Sequence, residues 1–140
     1  MKALSLTQPW ATLVASGRKQ IETRSWSTRY RGPLFIHAAK TFPGYAKTFA
    51  CEVYGNPALI PYMPLGALVA RVYLLDVRTT EYMSTRITTE ERRYGDYTPG
   101  RFAWIISNIE SIEPLPCKGA LGLWEVPEEL LRRRKYDPPT

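Results

Sequence analysis

The sequence has 140 residues, 44% of them apolar and 23% charged, which suits one globular domain with a real core and excludes a disordered, fibrous or coiled-coil chain. Its two cysteines and single histidine are too few for a zinc site or a disulfide framework. No cofactor or metal is therefore expected, and Cys51 and Cys117 are read as buried small hydrophobes.

In chain order, Thr7-Gln8-Pro9-Trp10 followed by ATLVAS and Gly17 predicts a short helix, capped by Thr7 and ended by Gly17, with Trp10, Leu13 and Val14 on one face. Lys19 to Trp26 alternates with a period of two and predicts a strand with Glu22, Arg24 and Trp26 on one side. A polar turn at 27–32 precedes a strand over Leu34–Ala38, and Tyr45–Tyr54 is predicted helical before a Pro-rich loop, Asn56–Pro64.

Gly66–Val77 carries the strongest strand signal and Phe102–Ile109 the next. Between them Thr79–Gly100 reads as a polar surface excursion. Leu121–Val126 is a last strand, followed by a helix from Pro127 to about Arg134 whose basic end, Arg132-Arg133-Arg134-Lys135, complements the helix dipole or adds affinity for an anion. The fold class expected is α+β, a small barrel of mixed or antiparallel strands with peripheral helices.

The charge is unevenly placed. Residues 1–50 hold eight basic side chains and one acid, Glu22, for a net +7, whereas the remaining 90 hold eleven basic and twelve acidic residues, for a net −1. Such a concentration favours an anionic partner, nucleic acid above all, or serves solubility. No stretch approaches the roughly 20 apolar residues of a membrane helix, and the N-terminus lacks a signal-peptide pattern, so a soluble, cytoplasmic protein without membrane partners is expected.

Gly17-x-Lys19-x-x-Glu22-x-Arg24 sets a tight turn, a point charge, a carboxylate and a planar guanidinium within eight residues. Glycine admits close approach, Lys19 offers a compact cation, and Arg24 can fork two hydrogen bonds to a phosphate or base edge. Glu22 can orient Arg24, accept from a ligand amine, or act as a general base. The bland reading is an ion pair of Glu22 and Arg24 with Lys19 solvated.

Around this motif, Gln8 can read a base edge or bond the helix start, and Trp10 can stack a base or pack in the core. Trp26 is a candidate cleft wall or a buried ring, and His37 a cleft ligand or a satisfied buried histidine. Arg29, Arg31 and Lys40 extend the positive surface, and Lys118 joins from the far end of the chain.

Leu4-Ser5-Leu6-x-Gln8-Pro9-Trp10-Ala11 and Gly17-x-Lys19-x-x-Glu22-x-Arg24-Ser25-Trp26 resemble the signature of the ASCH domain family, related to the PUA-like RNA-binding folds. The resemblance continues through Arg31–Lys40, Gly66–Val69, Phe102-Ala103-Trp104 and Lys118-Gly119. It assigns residues 2–126 to an ASCH domain and 127–140 to a C-terminal helix and tail.

The resemblance implies a PUA-like β-barrel with helices at its mouth and a cleft lined by the motif, binding RNA, DNA or a modified nucleoside. Some similar proteins bind nucleic acid, one kind is described as a ribonuclease, and another hydrolyses acetylated cytidine. In that last branch a threonine nucleophile stands at the position of Glu22, served by the motif lysine and a distal acid, here Glu90, Glu91 or Asp96. Glu22 closes the covalent route and leaves water activation, with Lys19 holding the oxyanion.

Three functions follow. The first is nucleic-acid binding, RNA or single strands, in a basic cleft around Lys19, Glu22 and Arg24. The second is a hydrolase on a modified nucleoside, or a metal-independent ribonuclease, with Lys19 and Glu22 as its catalytic residues. The third is a protein-interaction module using the Pro-rich loop near Tyr62 and Met63.

Overall fold

In the computed structural model, which describes residues 1–132, the chain opens with a strand that the sequence reading lacks. β1 (Lys2–Leu6) buries Ala3, Leu4 and Leu6, but five residues with a small residue at every other position give too weak an alternation to stand out. Helix α1 (Trp10–Ala15) follows, with Leu13 and Val14 fully buried, each contributing roughly 1.5–3 kcal/mol. Thr7 does not cap it. Gln8 does so instead, its Oε1 accepting from the Thr12 N–H at 3.0 Å.

The motif strand is shorter than its alternation suggests: β2 covers Ile21–Arg24, because Lys19 folds back to donate its N–H to Leu13 O at 3.0 Å. β3 (Gly32–Ala38) and helix α2 (Gly44–Tyr54) lie where expected. The Pro-rich loop winds into a 3-10 helix, Pro57–Tyr62, with the Asn56 side chain accepting from Ala58 N–H.

β4 (Ala67–Thr79) and β5 (Phe102–Pro116) form the long central hairpin. β5 runs seven residues past its predicted end at Ile109. Polar Glu110, Ser111 and Glu113 disguise it, yet Ile112 and Leu115 of the same stretch are buried. Three register shifts along this pair and a positive φ of 51° at Asn108 bend it. The excursion between the two strands contains α3 (Thr80–Met83) and α4 (Thr89–Arg93), capped by Thr79 and Thr88. β6 (Leu123–Glu125) and α5 (Glu128–Arg132) complete the described chain. Arg133, Arg134 and Lys135 lie outside the described residues.

The strands form one six-stranded sheet in the order β2-β5-β4-β3-β1-β6, curled into a half-barrel. β1 and β3 are parallel and every other pair is antiparallel, so the mixed α+β architecture is the expected one. The main core joins β1, β3, β4 and β5 to α1 around Trp104, while a second cluster around Ala3, Phe35 and Leu115 takes Leu130 and Leu131 of α5 against it. Cys51 and Cys117 are half-buried free thiols rather than core residues. No helix among the described residues is long and apolar enough to cross a membrane.

Folding also erases much of the charge segregation. Glu125 pairs with Lys2, Glu90 with Arg18, and Asp76 with Arg31, so acids of the later chain neutralise bases of the first fifty residues.

Candidate functional site

Gly17 ends α1 in the left-handed region, φ +81°, and the reversal sends the Lys19 side chain inward. Lys19 is fully buried. Its Nζ donates to the carbonyls of Ile21 and, at 3.2 Å, of Tyr94, and lies 3.2 Å from Glu22 Oε1. The second carboxylate oxygen, Oε2, accepts from Arg24 Nε at 2.9 Å, and Arg24 Nη2 donates to Ser5 O at 2.8 Å. A continuous cation–carboxylate–cation chain therefore ties β2 to β1. The even spacing of Glu22 and Arg24 does place them on one strand face, as expected.

A cleft of about 760 Å³ opens over this chain. Glu22 and Arg24 lie on its floor with Ser5, Leu6 and Thr7. Trp10, Tyr45 and Phe49 cluster along one side, Tyr94 meets Phe49 edge-on at 6.4 Å, and Gly95, Asp96, Arg93 and Arg101 complete the lining. Trp10 and Phe49 stack on each other, with centroids 5.3 Å apart and planes at 11°. Tyr45, 70% exposed, leans on Trp10 at 6.4 Å. The Arg93 guanidinium lies 5.8 Å from the Phe49 ring. Arg101 pairs with Asp96 at 3.5 Å. The arrangement offers a cluster of aromatic rings, an acceptor that two cations hold in place, and guanidinium donors for an anion.

Of the predicted site residues, Trp10, Glu22 and Arg24 line this cleft, and Lys19 reaches it only through Glu22. Gly17 shapes the turn. Gln8 is fully buried with both ends engaged, Nε2 donating to Pro64 O at 2.8 Å and Oε1 capping α1, so it pins the Pro-rich loop. Trp26 is not a wall of the cleft. It packs edge-on against Trp104 at 4.8 Å, and Trp104 Nε1 donates to Trp26 O; β2 ends before Trp26, so the alternation no longer applies. Arg31 bonds Thr28 O, Tyr30 O and Asp76 in the β2–β3 loop. Arg29 is exposed on the same loop, outside the cleft.

His37 and Lys40 line a second cleft, of about 820 Å³, with Cys117 and Lys118. His37 is buried. Its Nε2 lies 2.9 Å from Cys117 O, which can only accept, so that nitrogen carries the proton. Nδ1 then accepts from Ser5 Oγ at 3.0 Å, and Ser5 Oγ accepts from Trp124 Nε1 at 3.1 Å. Burial lowers the His37 pKa against the pull of the Cys117 carbonyl, which keeps the ring neutral. Gly119 closes over the pair: a Cβ there would come within 2.6 Å of His37 Cε1 and 2.7 Å of Ser5 Oγ.

The three distal acids separate as well. Glu91 is buried and accepts from the amides of Gln20 at 3.1 Å and Ile21 at 2.9 Å, bracing the start of β2. Burial pushes its carboxyl above the usual range, against those two amides. Glu90 accepts from Tyr94 Oη at 2.7 Å on the surface. Asp96 alone lines the cleft. Among the described residues, no group of His, Cys, Asp and Glu is placed to hold a metal ion.

Sequence reasoning missed Tyr45, Phe49, Arg93 and Arg101. Tyr45 and Phe49 are four apart on α2, a spacing that marks one helix face, but nothing local says that this face meets Trp10.

The description "ASCH domain" fits residues 4–116. Activating signal cointegrator 1 from Mus musculus and from Homo sapiens are each 27% identical over 134 residues, covering 91% of this chain and 22% of theirs. The chain thus spans about a fifth of the length of these curated relatives. Among solved structures, ASCH from Zymomonas mobilis superposes with a TM-score of 0.60 at 14% identity, covering 94% of this chain and 91% of that one. A tyrosine-to-phenylalanine mutant of that protein gives 0.60 at 15% identity, with 94% of each chain covered. The match over most of its length makes this chain a member of the ASCH domain family.

Proposed function

We propose that the chain binds nucleic acid, RNA or single strands, in the cleft above Glu22 and Arg24. The observation that carries this reading is one cavity lined by an aromatic cluster, Trp10, Tyr45 and Phe49, and by arginines 24, 93 and 101. Single-stranded recognition needs that pairing: rings on which bases stack, and cations along the phosphates. Glu22, held between Lys19 and Arg24, supplies an acceptor for a base amine. Membership of a family related to PUA-like RNA-binding folds supports the same reading.

The test is a titration of short labelled RNA and DNA over a range of salt, with the wild type and Tyr45→Ala/Arg93→Ala. Both side chains are exposed, so the variant keeps the fold. Wild-type affinity that falls with salt and is lost in the variant supports the reading; affinity equal in both forms, or none in either, overturns it.

A further inference from the structure

The second cleft differs from the first in character. Its lining is mostly apolar, with Leu65 and Leu121 as the largest apolar side chains, and it carries the exposed Lys40 and Lys118. No acid lines it. In the first cleft Arg24 is compensated by Glu22 and Arg101 by Asp96. Lys40 comes from the residues after β3 and Lys118 from those after β5, and neither has an ion pair among the described residues. Leu121, 98% exposed, stands beside them. Two uncompensated ammonium groups over an apolar surface suit a ligand that is anionic on one side and flat and apolar on the other.

Ser5 belongs to both clefts. Its carbonyl accepts from Arg24 at the floor of the first, and its hydroxyl bonds His37 at the floor of the second. The clefts therefore adjoin at Ser5, near the end of β1.

We infer that the second cleft is a further nucleotide subsite for the strand held in the first, with Lys40 and Lys118 on the phosphates and a base lying against Leu65 and Leu121. This rests on the proposed nucleic-acid reading and adds a direction to it: the strand crosses the end of β1. Ser5 and His37 satisfy each other on its lining, with Trp124 donating to the serine from outside the cleft, and this leaves the lysines to make the anion contacts.

The experiment compares a labelled dinucleotide with an octanucleotide of RNA, for the wild type, Lys40→Ala/Lys118→Ala and Leu121→Glu. The three positions are exposed, and the two variants act by different routes, one removing cations and the other adding a carboxylate. Both variants match the wild type on the dinucleotide and lose about tenfold or more on the octanucleotide. The salt dependence of the double variant flattens by about 0.7 in log–log slope per lysine removed. Equal loss at both lengths reduces the lysines to long-range attraction and overturns the subsite, as does no loss at either. In those two outcomes wild-type binding persists and the first cleft stands; absence of wild-type binding at both lengths overturns the nucleic-acid reading and the subsite together.

Discussion

Lys19 Nζ lies 3.2 Å from Glu22 Oε1, and the lysine has no solvent exposure at all. Removing one partner of a buried pair costs about 3–5 kcal/mol when the other charge is left uncompensated, and Arg24, still 2.9 Å from Glu22, holds the loss to the lower end of that range. Lys19→Met also strips the Ile21 and Tyr94 carbonyls of their donor. We expect it to lose stability of that order in urea unfolding, with a favourable coupling energy when it is combined with Glu22→Gln.

Glu22→Gln alone separates binding from catalysis. The amide keeps the shape but removes a negative charge from the cleft floor, so affinity for RNA rises by up to about tenfold, or 1.4 kcal/mol. Neither form cleaves RNA in the same tubes. Turnover in the wild type that disappears in Glu22→Gln, with binding retained, would instead make Glu22 a general base.

Tyr45 is 70% exposed, lines the cleft and leans on Trp10. Tyr45→Ala therefore leaves the thermal midpoint unchanged and weakens single-strand binding by about 1–3 kcal/mol, the contribution of one stacked base. A fall in thermal midpoint would show that the ring serves the fold.

His37 gives a pH dependence with a definite sign. Its folded pKa lies below the ordinary value of 6.5 through burial, so the unfolded chain binds the proton more readily. The stability this neutral ring contributes is present above pH 6.5 and is lost as pH falls toward the folded pKa. Protonation puts a second N–H on Ser5 Oγ, beside that of Trp124, and turns the serine hydroxyl away. Melting curves between pH 7 and about 5.5 should show a decline that His37→Gln lacks.

Glu91 braces the motif from outside it. Glu91→Ala leaves the amides of Gln20 and Ile21 without their acceptor, at about 1–3 kcal/mol for each group that stays buried. Hydrogen exchange at those two amides accelerates more than at the β4–β5 hairpin if the brace is local; uniform acceleration would mean that the whole domain loosens.

Much of the chain is legible locally. Gly17 as the end of α1, the long apolar runs of β4 and the start of β5, and the shared face of Glu22 and Arg24 all follow from residue type and period. β1 is not legible, because Ala3 and Ser5 gain their places only by pairing with Phe35 and His37 on a strand some thirty residues away. Nor is the far half of β5, whose polar outer residues hide the inner row of Ile112 and Leu115.

The sequence by itself determined which charges sit at the motif, and that they follow a tight turn, since spacing and backbone preference are properties of neighbouring residues. Only the tertiary structure decided what those charges do. Burial turned Lys19 from a free cation into the partner of Glu22, distant acids neutralised Lys2, Arg18 and Arg31, and packing sent His37 and Lys40 to a second cleft. Desolvation and ion pairing depend on what the rest of the chain brings within a few ångströms, and no local pattern encodes that.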